Sequence, residues 1–183
     1  MLLSKIFAGA VMATSALAAL TPQQIVDGIG SLTSKAQEIQ APATEISIVN
    51  APLIIIGQGP FPPIITKYTE FITISNTLIG QFHGTPQITG PDATKVFEAY
   101  REHVRVHQAT LNILIGKAGI LQKVPFVGAP IAAVLRQVEA NLDTIAVTLI
   151  ETVQSQAGDL TSEANSLGAS LDLCIQHYEG LAV

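Results

Sequence analysis

One cysteine, no tryptophan and few charges set the first limits on this chain of 183 residues. Cys174 has no second cysteine to pair with, so an internal disulfide is impossible and the core alone must hold the fold. That excludes the disulfide-stapled secreted scaffolds. No asparagine is followed two residues on by Ser or Thr, so the chain has no N-glycosylation acceptor. Charged side chains make up 13% of the sequence, about half the usual share for a soluble domain. A chain so poor in charge must hide a large apolar area, in a core, a cavity or an interface. The formal net charge is −5, and no basic stretch with interleaved aromatics occurs, which argues against nucleic acid as a partner. The final "YEGLAV" has no hydrophobic tail, so a C-terminal lipid anchor is not expected.

What is present begins with "MLLSKIFAGAVMATSALA". Lys5 supplies a positive n-region, Ile6 to Leu17 a short apolar run, and Ala16-Leu17-Ala18 a small-residue cleavage site. Residues 1–18 therefore read as a secretory signal peptide, too short to span a bilayer, with cleavage after Ala18. The mature chain, 19–183, keeps 8 basic and 14 acidic residues, a net of −6, and is expected to fold as a single exported domain.

Periodicity in that domain is helical. Thr21-Pro22-Gln23-Gln24 carries a capping box with proline at the first position, and Ile25, Ile29, Leu32, Ala36 and Ile39 follow at helical spacing. Pro42 and Pro52 are expected to kink or break the chain beyond this helix. Ile64, Ile65, Tyr68, Phe71, Ile72, Leu78, Ile79 and Phe82 favour period 3.6 over period 2, and "HGTPQITGP" reads as a loop. A long helix is predicted over about 92–123 and another over about 130–157, ended by Gly158. The last carries Leu160, Ala164, Leu167, Leu171, Cys174 and Tyr178 on one stripe. Cys174 then reads as a small buried hydrophobe. Short connections imply antiparallel neighbours, hence an all-α, up-and-down bundle of about five helices without disulfides.

Motifs that would carry catalysis are weak. "GQGPFP" lacks the third glycine of a dinucleotide loop, and Pro60, Pro62 and Pro63 remove the amides that would cradle a pyrophosphate. His103 and His107 stand four apart, a spacing that can put two imidazoles on one metal, but Val104 occupies the position where zinc proteases carry Glu. His107 falls inside the stripe of Val96, Tyr100, Leu111 and Leu114, and His103 at its edge. Three readings stay open: a core histidine with one hydrogen bond, here taken to come from another helix, a polar anchor inside a ligand cavity, or a metal ligand. Neither a Ser-His-Asp nor a Cys-His arrangement emerges from spacing, and neither enzyme activity, cofactor nor metal is expected.

The most unusual segment is "APLIIIGQGPFPPII" at 51–65, apolar, proline-rich and uncharged. In an alternating bundle it turns at the same end as "VPFVGAP" at 124–130. No acid occurs between Glu45 and Glu70 or between Glu102 and Glu139, and those windows hold Lys67, Arg105, Lys117, Lys123 and Arg136. The sequence thus predicts an apolar, mildly cationic tip. Ile54, Ile55 and Ile56 are expected to pack inward, while Phe61 and Phe126 reach outward or line a cavity mouth. Candidate ligand-binding residues are Phe61, Phe126, Tyr100, His107, Lys117, Lys123 and Arg136, the cations serving a carboxylate or anionic head group.

The signal peptide and the disulfide-free helical domain opening "IVDGIGSLTSKAQEI" resemble the fungal hydrophobic surface-binding protein A family, with its cell-wall galactomannoproteins. "IVNAPLIIIGQGPFPPII" and "LNILIGKAGILQKVPFVGAP" are similar to small fungal secreted proteins called ultraviolet-inducible. The resemblance implies binding to hydrophobic surfaces and, in some members, lipid held between helices. It transfers no site residues, and the proline-rich turns and missing Ser/Thr-rich wall tether depart from it. The expectation is a secreted, non-enzymatic protein that binds fatty acids, other lipids or apolar surfaces. The rival is a cell-wall structural or interaction protein that docks another protein through its apolar tip.

Overall fold

The computed structural model describes residues 19–123 and 128–181; the predicted signal peptide and Phe126 lie outside them. Five helices follow one another: α1 (Pro22–Glu45), α2 (Phe61–Gln81), α3 (Gly90–Ala118), α4 (Gly128–Thr152) and α5 (Ala157–Glu179). The described residues contain no strand, and Cys174 is a free, buried cysteine. No helix among them is long and apolar enough to cross a membrane.

Successive helices alternate in direction, as the sequence predicts, but they close into a ring in a different lateral order: α1, α3, α5, α4, α2 and back to α1. Cross-links fix the directions. Lys35 meets Glu70 and Lys67 meets Glu38, so α1 and α2 run antiparallel. Thr110 Oγ1 lies 2.8 Å from the Ala36 carbonyl, and Lys117 Nζ donates to that of Ile46 at 2.9 Å, so α1 and α3 run parallel. Gln108 donates to Ser166 and Ser170, and Tyr178 Oη to the Leu114 carbonyl, so α3 and α5 are parallel too. Arg136 pairs with Glu179 between antiparallel α4 and α5. Only α1/α2 and α4/α5 are therefore antiparallel neighbours joined by their own turn. The α2–α3 and α3–α4 connections instead carry the chain across an end of the bundle, so α2 and α3 face each other through its interior.

Local chemistry explains most boundaries. The capping box forms as read: the Gln24 amide donates to Thr21 Oγ1, and Gln24 Oε1 accepts from the Thr21 amide at 2.8 Å. Pro42 does not break α1, which runs on to Glu45. Proline there costs one hydrogen bond near the helix end. Burial of Ala43 and Ile46 holds the last turn, while Asn50 Nδ2 donates to the Glu45 carbonyl. The turn after it is a 3-10 stretch, Ala51–Ile56, closed by Gly57 and Gly59 at positive φ.

Two predicted ends move. The regular part of α3 stops at Ala118 and tightens to 3-10 geometry over Gly119–Lys123. The break between α4 and α5 falls at Val153–Gln156, not at Gly158, which sits in the first turn of α5. Buried Val153 anchors that break, and the Ile88 amide donates to the Thr152 carbonyl at 2.9 Å, so the helix end is tied to the 82–89 loop.

The side chains that fill the ring are the predicted stripes. Ile25, Ile29, Leu32, Ile64, Leu111, Leu114, Leu135, Leu149 and Leu171 are all buried, each worth about 1.5–3 kcal/mol. Among the described glycines the closest approach is at Gly128, where an added Cβ would overlap the Tyr178 carbonyl oxygen and press on Leu181. Gly128→Ala is expected to destabilise by about 1–3 kcal/mol, because a backbone atom has to yield. Urea denaturation checks this, and unchanged stability would show that the α4 start can shift freely.

Candidate functional site

Inside the ring, α2 and α3 meet through aromatic and imidazole side chains. Phe71 stacks on His103 with ring centroids 5.8 Å apart and sets its ring against the edge of His107 at 5.2 Å. Tyr68 stacks on His107 at 6.1 Å, and Tyr100 lies 6.5 Å from His103. The two histidines are themselves neighbours, with Nδ1 of His107 3.5 Å from Nε2 of His103. Thr33 Oγ1 of α1 stands 3.4 Å from Nδ1 of His103. All of this lies in the core, since Tyr68, Phe71, Tyr100, His103 and His107 are buried.

Burial controls the electrostatics. It pulls His103 down to about 4, and it pulls His107 well below the ordinary imidazole value, with proximity to His103 adding to the effect. Both rings are neutral at neutral pH. Burial likewise lifts the Tyr68 and Tyr178 phenols and pushes the Cys174 thiol up to about 12. Cys174 is thus the inert hydrophobe that its stripe position predicts. Reductant is expected to leave the melting temperature unchanged, whereas Cys174→Ser should cost about 1–3 kcal/mol by burying a hydroxyl. A large shift with reductant would reveal an intermolecular disulfide.

The structure brings Tyr100 and His107 into this interior. The hydrogen-bond neighbour of His107 belongs to its own helix, not to another, because the spacing of four aims one ring at the other. That geometry also turns the two facing nitrogens toward each other. Among the described residues no group of three or more His, Cys, Asp or Glu is placed to hold a metal.

The other candidates lie apart from the cluster. Phe61 opens α2 and is buried under the turn, so it does not reach outward. Lys117 is half-buried and bound to the Ile46 carbonyl, and exposed Arg136 is paired with Glu179. Lys67 and Arg105 are paired with Glu38 and Glu102. Three of these four cations are thus ion-paired, since Glu38 and Glu179 approach from adjoining helices and Glu102 lies on the same one, while Lys117 donates to a carbonyl and not to an acid. Lys123 ends the 3-10 turn after α3, and its side chain is outside what is described.

The apolar character of the tip does emerge, on other residues. Ile48 is 80% exposed, Val49 89% and Ile56 66%, with Leu53 also on the surface. Ile56 thus points outward against expectation, because the 3-10 turn rotates it away from the core; the side chains of Ile54 and Ile55 are outside the described set. Sequence reasoning missed Ile48 and Val49, which the break after α1 leaves uncovered. Tyr68 and Phe71 were legible only as stripe positions. Elsewhere a surface cleft between α3 and α5 is lined by Glu98, Arg101, Glu102, Arg105, Gln108 and Glu163, which offers an apolar ligand nothing.

No family model matches the sequence, and no curated protein matches it. Its fold does have solved counterparts. Afmp4p, in complex with palmitic acid, superposes with a TM-score of 0.75 at 12% identity, over 86% of this chain and 99% of that one. Ligand-binding domain 2 of the Penicillium marneffei MP1 protein, complexed with multiple arachidonic acids, gives 0.70 at 12% identity over 86% and 94%. Domain 1 of the same protein, with arachidonic acids, gives 0.66 at 13% identity over 85% and 95%. The chain is an all-α bundle with the fold of these ligand-binding domains. At such identities the likeness establishes the fold.

Proposed function

We propose that this chain is a secreted, non-enzymatic lipid-binding protein that holds a fatty acid or similar apolar chain inside the helical ring. One observation carries the reading: three domains of the same fold, matched over nearly their whole length, are complexed with fatty acids. The low share of charge and the ring of five amphipathic helices are consistent with it, and so is the sequence's resemblance to fungal hydrophobic surface-binding proteins. Native mass spectrometry and solvent extraction of the secreted protein test it. Co-purifying fatty acid is the expected result. A stable oligomer free of lipid, unable to take up added palmitic acid, would overturn it in favour of a wall interaction protein.

A second reading, adsorption to apolar surfaces, is favoured by the exposed Ile48, Val49, Leu53 and Ile56. Replacing Ile48 and Val49 together by Asp is expected to weaken adsorption to hydrophobic beads at least about tenfold. Each side chain removes about 1.5–3 kcal/mol of apolar burial at the contact. Helicity should not change, because neither residue packs in the core. Undiminished adsorption would show that the tip merely covers the bundle end.

A further inference from the structure

We propose that Tyr68 and His107 form a head-group site inside the ring, built for an un-ionised carboxylic acid. The inference rests on the lipid-binding reading above. Its starting observation is that Tyr68 Oη and His107 Nε2 are both buried and both without a hydrogen-bond partner. An unmatched polar atom in an apolar interior costs on the order of 1–3 kcal/mol, so each calls for a partner. Their rings are stacked, with centroids 6.1 Å apart, one from each of two helices that face each other across the bundle.

Proton placement decides what each atom needs. Thr33 Oγ1 donates its only proton to the Ile29 carbonyl at 2.9 Å. Toward His103 Nδ1 it can therefore only accept, so His103 carries its proton on Nδ1. The bare Nε2 of His103 then accepts from Nδ1–H of His107. A neutral His107 with its proton on Nδ1 presents a lone pair at Nε2, while Tyr68 presents an O–H. A group that satisfies both must donate to the histidine and accept from the tyrosine.

A carboxylic acid does both, its O–H donating to Nε2 and its carbonyl oxygen accepting from Tyr68. A carboxylate has no proton to give, and no Lys or Arg is buried among the described residues to offset its charge. The other titratable groups of this interior, Tyr100, Tyr178, Cys174 and His103, are all held uncharged by burial. A methyl ester keeps the acceptor but lacks the donor, and an alkane lacks both.

Palmitic acid labelled with carbon-13 at the carboxyl, methyl palmitate and hexadecane are the probes, with the whole chain and its Tyr68→Phe and His107→Leu variants. Tyr68→Phe removes one unpartnered oxygen, so its melting temperature is expected to hold even if His107→Leu folds poorly. It should lower palmitic acid affinity about tenfold, the loss of roughly one net hydrogen bond. Hexadecane binding should be unchanged, and methyl palmitate should bind the wild type more weakly than the acid. At neutral pH the bound carboxyl resonance is expected at the position of the un-ionised acid. A carboxylate resonance, or equal palmitic acid affinity in wild type and Tyr68→Phe, overturns the head-group site while leaving lipid binding intact. Failure of the wild type to bind both palmitic acid and hexadecane overturns the lipid-binding reading, and the site with it.

Discussion

Lowering the pH through 6.5 is expected to destabilise this protein before its ion-paired carboxylates begin to titrate. Burial holds His103 at about 4 in the folded chain, against about 6.5 when unfolded. Above the unfolded value both states keep the ring neutral, and stability is full. As pH falls below it, the unfolded chain takes up a proton that the folded chain refuses, so stability drops by up to about 1.4 kcal/mol per pH unit. Across the whole interval His103 alone accounts for about 3 kcal/mol, a large fraction of a typical domain's stability. His107 is shifted in the same direction and steepens the fall. Glu38 and Glu102, held low by Lys67, Lys35 and Arg105, begin to lose their contributions as pH falls through the ordinary carboxylate range and lose the rest below it. Urea midpoints measured between pH 7 and the carboxylate range check this. A flat profile there would mean that the interior admits charged imidazole, which the uncharged surroundings argue against.

The histidines also mark where the sequence stops being legible. Stripe arithmetic places His107 in the core, and it is there. It leaves His103 at the edge, yet His103 is equally buried. The reason is the ring order. Because α3 packs between α1 and α5 and meets α2 through the interior, its buried arc extends past the stripe, and Thr33 of α1 covers the flank where His103 sits. Helix periods show which face is apolar, not which helix it meets. The same limit hides the ion pairs: windows without acids say nothing about Glu38 and Glu179 arriving from neighbours. What depends on local chemistry was readable, including the Thr21 capping box, a free buried Cys174 and most of the loop read at 83–91, whose last two residues instead open α3. Two expected boundaries do not form: Pro42 does not break α1, and Gly158 does not end α4. Buried Ala43 and Ile46 carry α1 past the first, and the hydrogen bond from Ile88 to Thr152 anchors the real break ahead of the second.

Phe71→Ala is expected to cost about 3–5 kcal/mol and, at the same time, to improve the binding of apolar chains. Phe71 is fully buried and, beside Tyr68, carries the contact of α2 with the two histidines, stacked on one and set against the other. Truncation removes its transfer free energy and leaves a void whose walls can collapse only in part. Collapse is resisted here because α2 and α3 are not lateral neighbours: α1 on one side and α4 with α5 on the other hold them apart. The void therefore stays open, apolar and next to Tyr68 and His107. If the ligand lies inside the ring, that space is available to it. Hexadecane or palmitic acid should then raise the melting temperature of Phe71→Ala more than that of the wild type, since a ligand that binds only the folded state stabilises by mass action. Phe71→Leu, which leaves a smaller void, should lie between the two. If lipid contacts only the exposed Ile48 and Val49 at the bundle end, the variant still loses stability, but added ligand restores no more of it than in the wild type. Calorimetry of the three proteins with and without hexadecane separates the outcomes, and equal ligand-induced shifts in all three would place the binding surface outside the ring.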